Sequence, residues 1–128
     1  MGSAHPLAGR SILVVEDDFL ISMEVAALFE SAGADVVQAR TVTEAAGRAN
    51  GVSAAVLDYR LGDDSVRVLC ALLAERRIPF MFYSGYADLA ERYPGAVVVP
   101  KPSTSKALLT AMAGLVEPRR GALAADRA

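Results

Sequence analysis

The sequence has little that would stabilise or anchor a protein outside the cell. It contains one cysteine, Cys70, which cannot form an internal disulfide, so we expect a reducing compartment. Its longest uninterrupted apolar run, residues 68–74, is far shorter than the roughly 20 residues that cross a bilayer. The chain does not open with a charged segment followed by an apolar one, as secretory signals do. Together these absences predict a cytoplasmic protein without a membrane partner.

The charge of the chain also excludes one class of partner. Its formal net charge of −2 provides no basic surface, so we expect no binding to nucleic acid. The length of 128 residues fits one domain. Because 53% of the residues are hydrophobic, both faces of a sheet can be buried.

Short apolar runs alternate with segments of helical periodicity, which predicts an α/β fold. We expect a doubly wound, five-stranded parallel sheet in the flavodoxin-like order 2-1-3-4-5. The fourth helix, over residues 87–92, is predicted to be short. The predicted strands cover residues 11–15, 35–39, 54–58, 80–83 and 96–99.

The two ends of the chain are expected to lie outside this domain. Residues 1–10 are rich in Gly, Ala and Pro and predict a flexible N-terminal arm, and residues 117–128 predict a flexible C-terminal tail. The domain itself is then residues 11–116. Within it, Ser65 is expected to cap the third helix. The first helix is expected to end at Gly33 and to bury a stripe of Ile21, Val25, Leu28 and Ala32.

Charged residues follow three of the predicted strands. Glu16, Asp17 and Asp18 end the first strand, Asp58 ends the third, and Lys101 follows the fifth. In such a sheet, ligands bind beyond the carboxyl ends of the strands, where the strand order reverses between strands one and three. Crowded carboxylates repel one another unless a cation joins them, and a hard ion that also takes phosphoryl oxygens is Mg²⁺. The pattern therefore predicts a site for Mg²⁺ and a phosphoryl group.

The residue types suit phosphoryl transfer, which needs an oxygen nucleophile, a metal and fixed positive charge. Asp58 can be the nucleophile, Lys101 the positive charge and Ser84 a hydrogen-bond donor. More ordinary roles stay open for each of them. Asp17 or Asp18 could cap the first helix, Lys101 could be a surface lysine, and small polar residues such as Ser84 commonly follow strands.

Four motifs, in order and location, resemble the receiver domains of two-component response regulators over roughly residues 11–116. They are Ile-Leu-Val-Val-Glu16-Asp17-Asp18, Val-Leu-Asp58, Ser84-Gly85 and Lys101-Pro102. The resemblance implies a phosphoprotein that a sensor histidine kinase or phosphotransferase phosphorylates, with Mg²⁺, in a phosphorelay. It would support its own phosphoryl transfer and dephosphorylation without being an enzyme.

The resemblance also assigns roles to single residues. Asp58 would be the phosphoacceptor, with Ser84 and Lys101 contacting the phosphoryl group, and the bond from Lys101 to Pro102 is often cis in this family. The metal site would comprise Asp17 as a direct ligand, Glu16 acting through water, Asp58 and the backbone carbonyl of Arg60. Asp18 matches no ligand, so we assign it to the start of the first helix.

Two features depart from the usual receiver pattern. Val98 stands where many receivers carry an aromatic residue, and residues 84–101 form a short segment for the family. Residues 82–86, Phe-Tyr-Ser-Gly-Tyr, resemble the motif of the Phe-Ala-Thr-Gly subgroup of single-domain receivers. We therefore expect the conformational switch to lie in residues 84–93 rather than on the fifth strand.

Three functional hypotheses follow. The preferred hypothesis is a stand-alone receiver, since no output domain follows residue 116. Such a receiver would be read by protein contact or would act as a phosphate sink. A phosphatase of the haloacid-dehalogenase type is the second, although Tyr59-Arg60 follows Asp58 where that class has Asp-x-Asp. A degenerate receiver that binds partners without phosphate is the third, and the intact acidic set argues against it.

Overall fold

The computed structural model of the chain describes residues 5–59, 63–86 and 88–117. Its five strands form one parallel sheet in the order β2-β1-β3-β4-β5, which confirms the predicted fold. The strands are β1 (Ser11–Val15), β2 (Asp35–Ala39), β3 (Ala54–Leu57), β4 (Phe80–Ser84) and β5 (Val97–Pro100). The helices of the described residues are α1 (Phe19–Ser31), α2 (Val42–Arg48), α3 (Asp63–Glu75), α4 (Leu89–Arg92) and α5 (Ser105–Val116).

The sheet is buried on both faces, as the near-continuous apolar runs of its strands require. One core cluster joins alternate strand residues such as Leu13 and Phe82 to α2 and α3. The other joins the intervening residues, such as Val14 and Met81, to α1 and α5. Within the described residues, none of the helices has the length and apolar character of a membrane span.

Helix α1 begins and ends where the sequence predicts, but it presents a different face to the core. The Asp18 carboxylate accepts a hydrogen bond from the Ile21 amide at 3.0 Å, which confirms Asp18 as the N-cap. Of the predicted stripe, Val25 and Ala32 are buried, whereas Ile21 and Leu28 are only partly buried. The residues buried in α1 are Ser22, Val25, Ala26 and Phe29.

The described part of the expected N-terminal arm packs on the domain instead of extending from it. Leu7 is fully buried in the α1–α5 side of the core, and its amide donates to the Ala32 carbonyl at 2.8 Å. Gly33 ends α1 with a φ of +101°, where a Cβ would lie 2.9 Å from the Cβ of His5. Residues 1–4, and residues 118–128 of the expected tail, lie outside the described residues.

Two helix starts also differ from the sequence-based expectation. Helix α3 begins at Asp63, two residues before Ser65, so Ser65 is not its cap. Ser65 therefore lies within the first turn of α3. Helix α4 is short, as predicted, and covers only Leu89–Arg92.

Candidate functional site

Neighbouring parallel strands carry the acidic residues to one edge of the sheet. β1 and β3 pair in a register that sets Val15 beside Leu57, so the next residues, Glu16 and Asp58, leave the sheet at the same level. The Asp58 amide donates to the Val15 carbonyl at 3.0 Å and extends the pairing by one step. The edge predicted from the strand order is therefore the edge at which the acids meet.

Three carboxylates lie close enough together to share one cation. Oxygen atoms of Glu16, Asp17 and Asp58 all lie within 4.8 Å of one another. Glu16 and Asp58 are buried, whereas Asp17 is exposed and faces solvent. A cluster of carboxylate oxygens with an open side fits Mg²⁺, which prefers oxygen ligands and keeps several waters. The residues present therefore fit the metal that the sequence predicts.

Lys101 supplies positive charge to the same cluster. Its Nζ donates to Glu16 Oε1 at 2.8 Å and lies 3.4 Å from Asp58 Oδ2. Only 16% of its side chain is exposed, so it is not an ordinary surface lysine. The peptide bond from Lys101 to Pro102 is cis, in agreement with the resemblance.

The electrostatics of Glu16 reflect this crowding. The pKa of Glu16 is raised to about 7: burial is the largest cause, the hydrogen bond from Lys101 opposes it, and the neighbouring Asp58 adds to it. A carboxyl group with this pKa is ionised more readily when a cation is bound beside it. Burial also raises the pKa of the Cys70 thiol to about 11, so Cys70 stays protonated at neutral pH and serves as a core residue.

A cleft of about 290 Å³ opens beside Asp58. Asp58 and Lys101 line it together with Ile21, Gly85 and Tyr86. Ser84 is buried at the end of β4, and its hydroxyl oxygen accepts a hydrogen bond from the Tyr86 amide at 3.3 Å. Its carbonyl accepts a hydrogen bond from the Lys101 amide at 3.0 Å, which links the ends of β4 and β5.

An aromatic cluster beside the site was not predicted from the sequence. Tyr59, the residue after Asp58, makes edge contacts with Phe82, Tyr86 and Tyr93, with ring centroids 5.4–6.4 Å apart. The Tyr59 hydroxyl accepts a hydrogen bond from Arg92, whose guanidinium also lies 5.5 Å from the centre of the Tyr59 ring. The cluster thus connects the residue beside Asp58 to α4.

The structure brings together five of the six predicted site residues. Glu16, Asp17, Asp58 and Lys101 form one cluster, and Ser84 joins it through its bond to the Lys101 backbone. The sixth, Arg60, lies outside the described residues.

The strand order and the helices on both faces of the sheet define the fold, which is CheY-like and of the flavodoxin type. Among solved structures, the non-phosphorylated HemR receiver domain from Leptospira biflexa is 29% identical, with a TM-score of 0.75 over 87% of this chain and 97% of that one. A response regulator receiver domain protein from Clostridium thermocellum is 22% identical, with a TM-score of 0.69 over 84% and 94%. A CheY-like receiver domain protein from Methanospirillum hungatei is 22% identical, with a TM-score of 0.73 over 84% and 93%.

The structural neighbours of this chain are therefore response regulator receiver domains of two-component systems. No protein-family model matches the sequence, and no curated protein matches it.

Proposed function

We propose that this chain is the phosphoacceptor of a cytoplasmic two-component phosphorelay and that Asp58 accepts the phosphoryl group. One observation carries the proposal. Asp58 lines an open cleft, with two further carboxylates and the Lys101 ammonium beside it. This combination suits an oxygen nucleophile whose product carries more negative charge than its reactant.

The proposed step transfers a phosphoryl group from a phosphohistidine of a sensor histidine kinase or phosphotransferase. A carboxylate oxygen of Asp58 forms a bond to phosphorus, and the phosphorus–nitrogen bond of the donor breaks. The leaving imidazole keeps that electron pair and takes up a proton. The product is an acyl phosphate on Asp58, which water can later hydrolyse to restore the carboxylate.

Each neighbouring residue has a part in this step. Glu16, Asp17, Asp58 and the Arg60 carbonyl would hold Mg²⁺, which neutralises charge on the transferring oxygens. Lys101 would pair with a phosphoryl oxygen, and the Ser84 hydroxyl would donate to another. The Lys101 ammonium already lies beside the carboxylates, and Ser84 ends the strand next to the one that Lys101 follows.

Mass spectrometry of the intact protein, after incubation with acetyl phosphate, tests the proposal. We expect one added phosphoryl group in the presence of Mg²⁺ and none when the metal is chelated. Continuous turnover of a phosphomonoester, with no phosphate retained on the protein, would instead indicate a phosphatase. The absence of any labelling under both conditions would contradict the proposal.

Asp17→Asn should weaken Mg²⁺ binding, because a ligand charge is lost at a hard-cation site. Mutation of a residue that only hydrogen-bonds to a metal ligand lowers metal affinity by roughly 10- to 100-fold. Because Asp17 is proposed as a ligand itself, we expect its replacement to lower Mg²⁺ affinity by at least about this factor. Isothermal titration with Mg²⁺ measures it. Asp18→Asn is the matched control, since Asn also caps helices and Asp18 serves as the N-cap. Equal affinities of the two variants would remove Asp17 from the metal site.

The switch of this protein is proposed to lie in residues 84–93. Val98, on β5, has no ring to rotate, whereas Tyr86 is 44% exposed and contacts the ring of Tyr59. Helix α4 has one turn and one buried residue, Leu89, so its hydrogen bonds should open easily. Movement of Ser84 toward a phosphoryl group would shift Tyr86, whose amide is hydrogen-bonded to the Ser84 hydroxyl. Because Tyr86 contacts the Tyr59 ring, this shift would also change the hydrogen bond between Tyr59 and Arg92.

We therefore expect beryllofluoride, a phosphoryl mimic, to slow hydrogen exchange in residues 84–93 with Mg²⁺ present. Coupling free energies between two sites usually change an equilibrium constant by about 5- to 150-fold. We expect the exchange rates of these amides to fall by a factor in this range. Tyr59→Phe keeps the ring but removes the hydroxyl that Arg92 contacts, so its response should be smaller. Unchanged exchange over residues 84–93, with a change elsewhere, would place the switch in another region.

A further inference from the structure

The Lys101 ammonium has a third neighbour besides the two carboxylates. Its Nζ lies over the ring of Tyr83, 5.4 Å from the ring centre. This distance is within the roughly 6 Å over which an aromatic face attracts a cation. Tyr83 precedes Ser84 on β4 and has no role in the proposed phosphoryl transfer. It occupies the position at which the Phe-Ala-Thr-Gly motif has alanine.

The sheet geometry explains why the two side chains meet. Tyr83 pairs with Val99 across β4 and β5, and both pack in the core cluster on the α1–α5 side of the sheet. Lys101 lies two residues beyond Val99, so strand alternation directs its side chain to the side that Tyr83 occupies. Tyr83 also borders the small cavity next to Glu16 and Asp58. The ring therefore flanks the route by which the lysine stem reaches the carboxylates.

The free side chain of lysine has four rotatable bonds and loses much entropy when it is fixed. Glu16 and Asp58 attract the ammonium, but both carboxylates would turn to a bound metal cation and weaken their hold on it. The ring face of Tyr83 is neutral and keeps its attraction whatever ion the carboxylates bind. It is thus the one of these three contacts that a metal would leave intact.

We propose that Tyr83 is a positioning residue that holds Lys101 at the cleft, ready for the incoming phosphoryl group. This role rests on the proposed function, in which the ammonium pairs with an incoming phosphoryl oxygen. Tyr83 itself does not contact the reacting atoms; it acts through the lysine.

The contact can be tested without phosphorylation, by NMR on the unmodified protein with and without Mg²⁺. The Hε protons of Lys101 should be shifted by the ring current, relative to those of exposed Lys106, and should show nuclear Overhauser effects to the Tyr83 ring. Tyr83→Phe should retain both signals, and Tyr83→Leu should lose the shift. A Lys101 resonance unchanged by Tyr83→Leu would overturn the inference.

The functional consequence is measured as the rate of acetyl phosphate labelling at saturating Mg²⁺ and saturating donor. We expect Tyr83→Leu to slow labelling by about two- to thirtyfold, the range of a cation–π contact, and Tyr83→Phe to restore it. Mg²⁺ affinity should not change. Equal rates in all three proteins, or a parallel loss of Mg²⁺ affinity, would overturn the positioning role.

Two further outcomes keep the inference separate from the proposed function. If the wild-type protein is not labelled at all, the proposed function fails, and the NMR comparison still decides whether Tyr83 holds Lys101. If Tyr83→Leu does not fold, Tyr83→Met serves in its place, because it fills the space with a flexible apolar side chain that lacks a ring.

Discussion

Asp58→Asn is expected to take up no phosphoryl group under conditions in which the wild-type protein is fully labelled. Asparagine has nearly the same shape as aspartate, but its amide is not a nucleophile at neutral pH. The expected effect is therefore complete loss rather than a reduced rate. Intact-mass spectrometry measures it, and treatment with hydroxylamine, which cleaves acyl phosphates, identifies the bond in the wild-type protein.

Loss of labelling in this variant has to be separated from loss of folding. Asp58 is buried, with its carboxylate 3.4 Å from Lys101 Nζ, so its replacement changes the charge of the interior. Lys101 keeps its closer partner, Glu16, and we expect the fold to persist with a similar amide NMR spectrum. Asp18→Asn, which alters a neighbouring acid outside the cluster, should label normally. Full phosphoryl labelling of the Asp58→Asn variant, with the label found at position 58, would refute the phosphoacceptor assignment.

Lys101→Ala should still accept some phosphoryl group but should lose most of its conformational response. Only a contact that differs between two states can shift their equilibrium, and the pairing of Lys101 with the phosphoryl oxygen is such a contact. A hydrogen bond to a charged group is worth about 1.5–3 kcal/mol, so the coupling should fall by roughly tenfold or more. Backbone NMR shifts with and without beryllofluoride, at saturating Mg²⁺, measure the response.

Lys106→Ala provides the matched control for this experiment. Lys106 is an exposed lysine in the first turn of α5 and is close to Lys101 in sequence. In the part of the chain that the structure describes, the ion pairs of the carboxylate cluster are made by Lys101 and not by Lys106. Its replacement should leave the response unchanged. A wild-type response from Lys101→Ala would exclude the lysine from the switch and leave Ser84 as the candidate.

The sheet and the main acidic cluster could be predicted because the signals for both are local. Strands buried on both faces appear as continuous apolar runs, and the residue that ends each strand is fixed by the run itself. Once the strand order is known, Glu16 and Asp58 must meet. Asp18 was correctly assigned to the start of α1, where its carboxylate serves as the N-cap.

The buried face of α1 could not be predicted with the same accuracy. Phe19, Leu20 and Met23 are apolar but exposed, so apolar residues surround most of this helix. Periodicity then identifies the helix without identifying its inner face. Phe29, which is fully buried, was missed for this reason.

The aromatic cluster was missed for a different reason. Tyr59, Tyr86 and Tyr93 are far apart in sequence and lie in loops or at element ends, where no period relates them. Only the folded chain shows that Arg92 reaches Tyr59. The Tyr83–Lys101 contact is likewise invisible in sequence, because it depends on the register of β4 and β5.

The burial of Leu7 sets where this domain can be trimmed. A boundary drawn at Ser11, the first residue of β1, would remove a side chain that is fully enclosed by the core. Its removal would leave the α1–α5 side of the sheet with an unfilled space and the Ala32 carbonyl without its amide donor. Truncations and fusion junctions at this end should therefore be made before His5, so that the Leu7 segment stays with the domain.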